Sequence, residues 1–529
     1  MQWRKPACLA ASEPDAPGPR GVVAVPVAAA VMAARGGDSM SRLATGFVVA
    51  VALLSSGVAP GAVSAEVPRP TIEGPITGGR GTPFVAATTF DLSEVGYVQE
   101  EYFISGTARA FTNVGPLGAD GKWMVTPGAT APYKTRILVY RPANRTRFRG
   151  TVIVEWLNVS GGLDAAPDWL NSHTQMIREG IAWVGVSAQF VGIEGGMSIL
   201  GNPSVPLKTF DPARYGSLVH PGDSFSYDIF SQAGEAIRQP SGPNPLGDLR
   251  MKALIAAGDS QSAFRLVTYI DAIHPVAGVY DGFLVHSRAS TGVPLSETPQ
   301  PAIPVPSPTL IRTDLDVPVL TFQTETDLLF LQSRLARQDD TNRLRLWEVA
   351  GTAHADAYLL VTGMSDLGKS PDAANLVLTS SPLGVFICPR PINSGPQHFV
   401  LNAAIHWLNR WVRRGTPPPS APRLDVDPGP PARFVLDAHG NVTGGIRTPE
   451  LDVPIATLSS GGQSGSLACL LFGTTAPFDA STLATLYPTH RAYTSAFNQA
   501  TRRAVGAGYV MRSDARLMEI AAARSAVGR

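Results

Sequence analysis

The sequence predicts an α/β protein: a mostly parallel central sheet with helices on both faces, loop-rich inserts and a C-terminal extension. Three observations carry this expectation. Short β-branched runs alternate with runs of helical apolar spacing through the middle of the chain. The central β-rich runs are almost continuously apolar, as strands covered on both faces must be. The chain has 529 residues, 44% of them hydrophobic, which is enough for a large core.

The elements follow in order. "YVQEEYFISGTARAF", "KTRILVYRP" and "GTVIVEWLNV" read as strands, and "DWLNSHTQMIREG" as a helix. "IAWVGVSAQ" is a strand and "FSYDIFSQAGEAIRQ" a helix. "LIAAG" then runs into the helix "QSAFRLVTYIDAIH", and "YDGFLVHSR", "VPVLTFQTE" and "RLRLWEVAG" complete the strands. "HFVLNAAIHWLNRWVRRG" is a long amphipathic helix stopped by Gly415. Residues 289–316 and 355–390 interrupt the alternation and are candidate lid inserts. Residues 416–465 are rich in Pro and Gly and are expected to wrap the core. Residues 66–529 therefore read as one domain.

Residues 1–65 read as an N-terminal extension and signal peptide. Met40-Ser41-Arg42 opens it, the apolar "GFVVAVALLSSGVA" follows, and Val63-Ser64-Ala65 fits a cleavage site. Pro60 breaks the run before it reaches the ~20 residues a membrane span needs. A secreted or periplasmic protein is the expectation. Removal of this segment takes Cys8 with it and leaves Cys388 and Cys469, an even pair expected to form a disulfide in an oxidising compartment.

Composition excludes several functions. The 43 basic and 42 acidic residues give a net charge of +1, without the basic excess of a nucleic-acid binder. No HExxH and no paired Cys/His spacing suggests a metal, and no Gly-rich phosphate loop follows a strand, so no cofactor is expected.

A Gly-x-Ser-type pattern occurs at Ser39, Ser224, Ser260 and Ser464. A nucleophilic serine on an α/β scaffold needs a strand, a tight turn and a helix, with small neighbours where the two backbones approach. Only Ser260 has that context, between "ALIAA" and "AFRLVTYIDAIH". Such serines are followed along the chain by an acid and then a histidine. Asp327 lies just past the strand "VPVLTFQTE", with Glu325 as the alternative acid, and His354 follows the strand "LRLWEVAG". His286 ends a strand but precedes the acid. An oxyanion hole is expected from the backbone N–H of Gln261 and from the turn at Asn158 and Val159, before Gly161-Gly162.

The segments "RYGSLVHPGDSFSYDIFSQAG", "AAGDSQSAFRLVTYIDAIHP", "YDGFLVHSRA", "TETDLL", "GTAHAD" and "CLLFGTTAPFD" together resemble a family of largely uncharacterised bacterial alpha/beta-hydrolase-domain proteins. The resemblance runs over roughly residues 67–520. It implies an alpha/beta-hydrolase fold with Ser260 at the nucleophile position and His354 at the base position. The turn ends in Ser262 where many hydrolases carry Gly; a small side chain meets the same steric need. The expected activity is hydrolysis of a small-molecule carboxylic ester. Amide hydrolysis or acyl transfer by the same residues, and a non-catalytic binding role on the same fold, are the alternatives.

Overall fold

The structure, a computed structural model, describes residues 66–529; the expected signal peptide and Cys8 lie outside them. Its centre is a nine-stranded sheet: β1 (Thr71–Glu73), β2 (Tyr97–Asn113), β3 (Val125–Pro142), β4 (Thr151–Trp156), β5 (Ala182–Val186), β6 (Ala253–Asp259), β7 (Gly282–His286), β8 (Val319–Thr324) and β9 (Leu344–Val349). The order is β1-β2-β3-β5-β4-β6-β7-β8-β9. From β5 to β9 every neighbouring pair is parallel, whereas β1, β2 and β3 add an antiparallel edge.

The parallel strands are buried on both faces because alternate residues belong to different cores. Val152, Val154, Leu254, Ala256, Phe283 and Val285 face the helices Ser226–Arg238 and Gln261–Thr268. Their neighbours Ile153, Ile255, Ala257 and Leu284 face the helices Pro167–Glu179 and Gln397–Arg414. This explains why the strands read as continuous apolar runs rather than alternating ones. Each fully buried Val, Leu, Ile or Phe contributes roughly 1.5–3 kcal/mol.

The β2–β3 hairpin is longer than the sequence suggests, at 17 and 18 residues. Pro127 and Pro132 sit inside β3, where a proline normally argues against a strand. They are tolerated because β5 pairs with β3 only at Ile137–Tyr140. The Pro127 and Pro132 stretch bonds to β2 alone, so no ladder partner is lost on its other side.

The C-terminal extension covers the opposite edge. Ile446 donates to Glu348 O at 2.7 Å and accepts from Ala350 N at 3.0 Å, closing the open side of β9. The helices His490–Ala507 and Arg512–Arg524 pack Tyr493, Phe497, Ala504 and Met518 into a separate apolar cluster with Phe399. The sequence reading did not resolve these two helices. Cys388 and Cys469 are bonded to each other, joining the 355–390 insert to the extension. The 289–316 insert is held down by Ser224, whose Oγ accepts from Glu297 N at 2.8 Å and donates to Glu297 O. Among the described residues no helix is long and apolar enough to cross a membrane.

Candidate active site

Ser260 sits between β6 and the helix Gln261–Thr268 at φ +58° and ψ −124°. Positive φ is costly for a residue with a side chain. Three contacts enforce it. The Ser260 N–H donates to His286 O on β7 at 2.9 Å, and Ser260 O accepts from Phe264 N at 3.1 Å. At Gly258, a Cβ would come within 3.0 Å of the Ser262 carbonyl, so strand and helix can approach only with glycine there. Ser262 fills the second small position and its Oγ reaches Leu157 O at 3.4 Å.

The Ser260 hydroxyl lies 2.7 Å from His354 Nε2, and His354 Nδ1 lies 2.6 Å from Asp327 Oδ1. With the carboxylate accepting from Nδ1–H, the Nε2 lone pair faces the serine, the tautomer a general base requires. Burial opposes the charged imidazole, but the Asp327 charge and hydrogen bond outweigh it and move the His354 pKa above its ordinary value. Asp327 is fixed in turn: Thr324 caps the short helix Glu325–Leu329, and the Thr324 N–H donates to Asp327 Oδ2 at 2.7 Å.

The two acids of "TETD" are thereby distinguished. Glu325 spends its oxygens on backbone, accepting from Gly351 N at 2.5 Å and Ser460 N at 3.1 Å. Burial outweighs these bonds and lifts its pKa to about 7. Gly351 opens the loop to His354, so Glu325 steadies the histidine's loop instead of touching the imidazole. Of the other serines, Ser224 is committed to Glu297 and Ser464 is exposed on the C-terminal extension.

The expected oxyanion turn needs one correction. The Asn158 N–H is consumed by Ala165 O at 2.9 Å, because the loop after β4 closes on itself there, so Asn158 offers no backbone donor. Val159 N–H and Gln261 N–H have no acceptor among the described residues. Asn158 contributes through its side chain: Nδ2 donates to Asp259 O at 3.0 Å, and Oδ1 accepts from Ser160 N at 2.7 Å. The same loop is anchored from below by Arg136 of β3. This fully buried guanidinium donates to Asp164 Oδ2 at 2.9 Å and Glu101 Oε1 at 3.1 Å. The signal for Arg136 was an arginine inside the apolar run "KTRILVY".

A second buried cluster lies under Ser260. His286 Nδ1 is 2.8 Å from Asp168 Oδ1 and 3.3 Å from Asp259 Oδ1. Asp168 is aimed by Glu155, which accepts from the Asp168 and Trp169 N–H groups at 2.9 and 3.0 Å and caps their helix. Burial alone would lower the His286 pKa, but Asp259 and then Asp168 hold it up at about 9. A doubly protonated ring also needs an acceptor at Nε2. The Gln397 side-chain amide lies there at 3.0 Å, and turned about its last bond it presents its oxygen as that acceptor. The sequence order Ser, acid, His drew attention away from His286, since it precedes the acid.

Among the described residues no group of three or more His, Cys, Asp and Glu is arranged to hold a metal ion. Among solved structures the chain is similar to an α/β serine hydrolase without lid from Xanthomonas campestris, at 12% identity over 46% of this chain and 83% of that one, TM-score 0.25. It is also similar to a fungal esterase from Rhizomucor miehei, at 12% identity over 51% and 85% of the two chains, TM-score 0.25. A thermostable esterase from Pseudomonas putida matches at 14% identity over 54% and 80%, TM-score 0.25. No curated protein matches significantly in sequence. The family model described as alpha/beta hydrolase domain matches residues 72–519, nearly the whole of the described chain, and the chain belongs to that family.

Proposed function

We propose that the protein is an exported serine hydrolase that cleaves carboxylic esters through an acyl-enzyme. The observation that supports this best is the hydrogen-bonded chain Ser260–His354–Asp327, with the serine held at positive φ on the turn. In this reading His354 Nε2 takes the hydroxyl proton as Ser260 Oγ attacks the ester carbonyl. The carbonyl oxygen becomes an alkoxide and accepts from the N–H groups of Val159 and Gln261, the latter at the positive end of its helix. His354 then passes the proton to the leaving alkoxide. Water, activated by the same nitrogen, attacks the acyl-serine, and the acid departs.

Asp327 holds the tautomer and offsets the imidazolium charge. The Glu325 and Asn158 side chains hold the two loops that meet at Ser260. The test is steady-state hydrolysis of 4-nitrophenyl acetate, butyrate and octanoate by protein starting at Glu66. Turnover abolished by Ser260→Ala supports the reading. Turnover that survives this substitution in a folded variant contradicts it.

A further inference from the structure

The C-terminal helices help to line a partly open pocket of about 170 Å³ in which none of Ser260, His354 and Asp327 takes part. Its walls come from the turn at Tyr358, residues 373–377, the start of the helix Gln397–Arg414 and the faces of the last two helices. Phe399, Val453, Tyr493, Phe497 and Met518 make most of the lining apolar.

One wall residue breaks that pattern. His398 is 4% exposed, its ring lies flat on Tyr358 at 3.5 Å between centroids, and neither ring nitrogen has a hydrogen-bond partner. A buried imidazole with a donor and an acceptor both unmet is an uncommon arrangement in a native fold. His173 meets Trp169 O, Leu170 O and Asp366 O, and His406 meets Glu179; buried His274 leaves its Nδ1 unmet, and His398 leaves both nitrogens unmet. Burial, followed by His173 and Arg178 nearby, holds His398 well below its ordinary pKa, so the ring is neutral.

We propose that this cavity is a second ligand site, separate from Ser260, for a compact, uncharged apolar molecule whose hydroxyl group hydrogen-bonds His398. A cavity of about 150 Å³ accommodates benzene, so this one has room for a single small substituted ring. The apolar walls take the body of the molecule. A neutral imidazole donates at one nitrogen and accepts at the other, and a hydroxyl can answer either. An ion would be stripped of water against these walls. An anion would also meet the Glu450 carboxyl, which lines the cavity and accepts from Thr448 Oγ1 at 2.6 Å.

The test uses 4-bromophenol, with 4-bromobenzoate and bromobenzene as the charged and hydroxyl-free counterparts. Crystals of the mature chain soaked in 4-bromophenol should show an anomalous bromine peak among Phe399, Tyr493, Phe497 and Met518. Calorimetry should show 4-bromobenzoate binding much more weakly. His398→Phe keeps the stack on Tyr358 and should weaken 4-bromophenol about tenfold, the loss of one hydrogen bond, while leaving bromobenzene unchanged. A cavity without bromine at the solubility limit of 4-bromophenol overturns the proposal, and that result does not depend on the variant folding. Equal affinity for 4-bromobenzoate, or an unchanged 4-bromophenol affinity in folded His398→Phe, overturns it as well.

Discussion

The side-chain amide of Asn158 donates to the carbonyl of Asp259 at 3.0 Å, tying the turn after β4 to the residue that precedes Ser260. The Val159 N–H rides on that turn. This bond links the turn directly to the serine's strand, while the Ala165 bonds and the Arg136–Asp164 pair hold the shape of the loop itself. Asn158→Ala is expected to lower kcat on 4-nitrophenyl butyrate by roughly 10²-fold, the scale of losing one oxyanion donor, with little change in KM. A variant with wild-type kcat would remove Val159 from the proposed hole.

Asp327 and Glu325 stand two residues apart yet do different work. Asp327→Asn should cost about 10⁴-fold in kcat, because the amide no longer selects the Nδ1–H tautomer. Glu325→Gln should cost less than about tenfold in kcat and show its effect as lower thermal stability, since it loosens the bonds to Gly351 and Ser460. Steady-state kinetics and calorimetry on both variants separate the roles. A larger kinetic loss at Glu325 than at Asp327 would reverse the assignment.

The Asp168–His286–Asp259 cluster makes a claim about stability and pH. The folded-state pKa of His286 is about 9, above the ~6.5 of a free imidazole. The His286 contribution is therefore lost as pH rises from about 6.5 through about 9; at the acid end, protonation of Asp259, which burial lifts to about 6, removes its main partner charge. Urea unfolding of wild type and His286→Gln at pH 6, 7.5 and 9.5 measures it. The stability gap between the two proteins should narrow with rising pH. A gap constant across this window would mean that His286 is not a buried imidazolium.

Strand–turn–helix context and the order of Ser260, Asp327 and His354 could be read along the chain because both are local or sequential. The sheet could be read from its continuous apolar runs. The partners of those residues could not. The acid of "TETD" is chosen by which carboxylate caps its own helix and which reaches Gly351, a matter of angstroms that spacing does not encode. The Asn158 N–H looked available until the loop closed on Ala165. Arg136 meets Asp164 and Glu101, and Asp168 meets His286, only in three dimensions. The helix His490–Ala507 was legible in principle: Tyr493, Phe497, Ala500, Thr501 and Ala504 recur at helical spacing and are its buried residues. Its small and polar residues give that face little contrast.

The Cys388–Cys469 bond closes a loop of 81 residues between the insert after His354 and the C-terminal extension. In the chain-entropy account such a loop is worth up to about 4.5 kcal/mol. The paired Cys388→Ser and Cys469→Ser variant should melt lower by several degrees. It should melt at the same temperature with and without reductant, whereas the wild type falls under reductant. Equal melting of wild type and variant would mean that the bridge adds no net stability.

The most direct test of Ser260 as the nucleophile treats the chain from Glu66 with a fluorophosphonate probe and maps the adduct by mass spectrometry. One label is expected, on Ser260, lost in Ser260→Ala and in His354→Ala. A label on Ser224 or Ser464, or none on the folded protein, would contradict it.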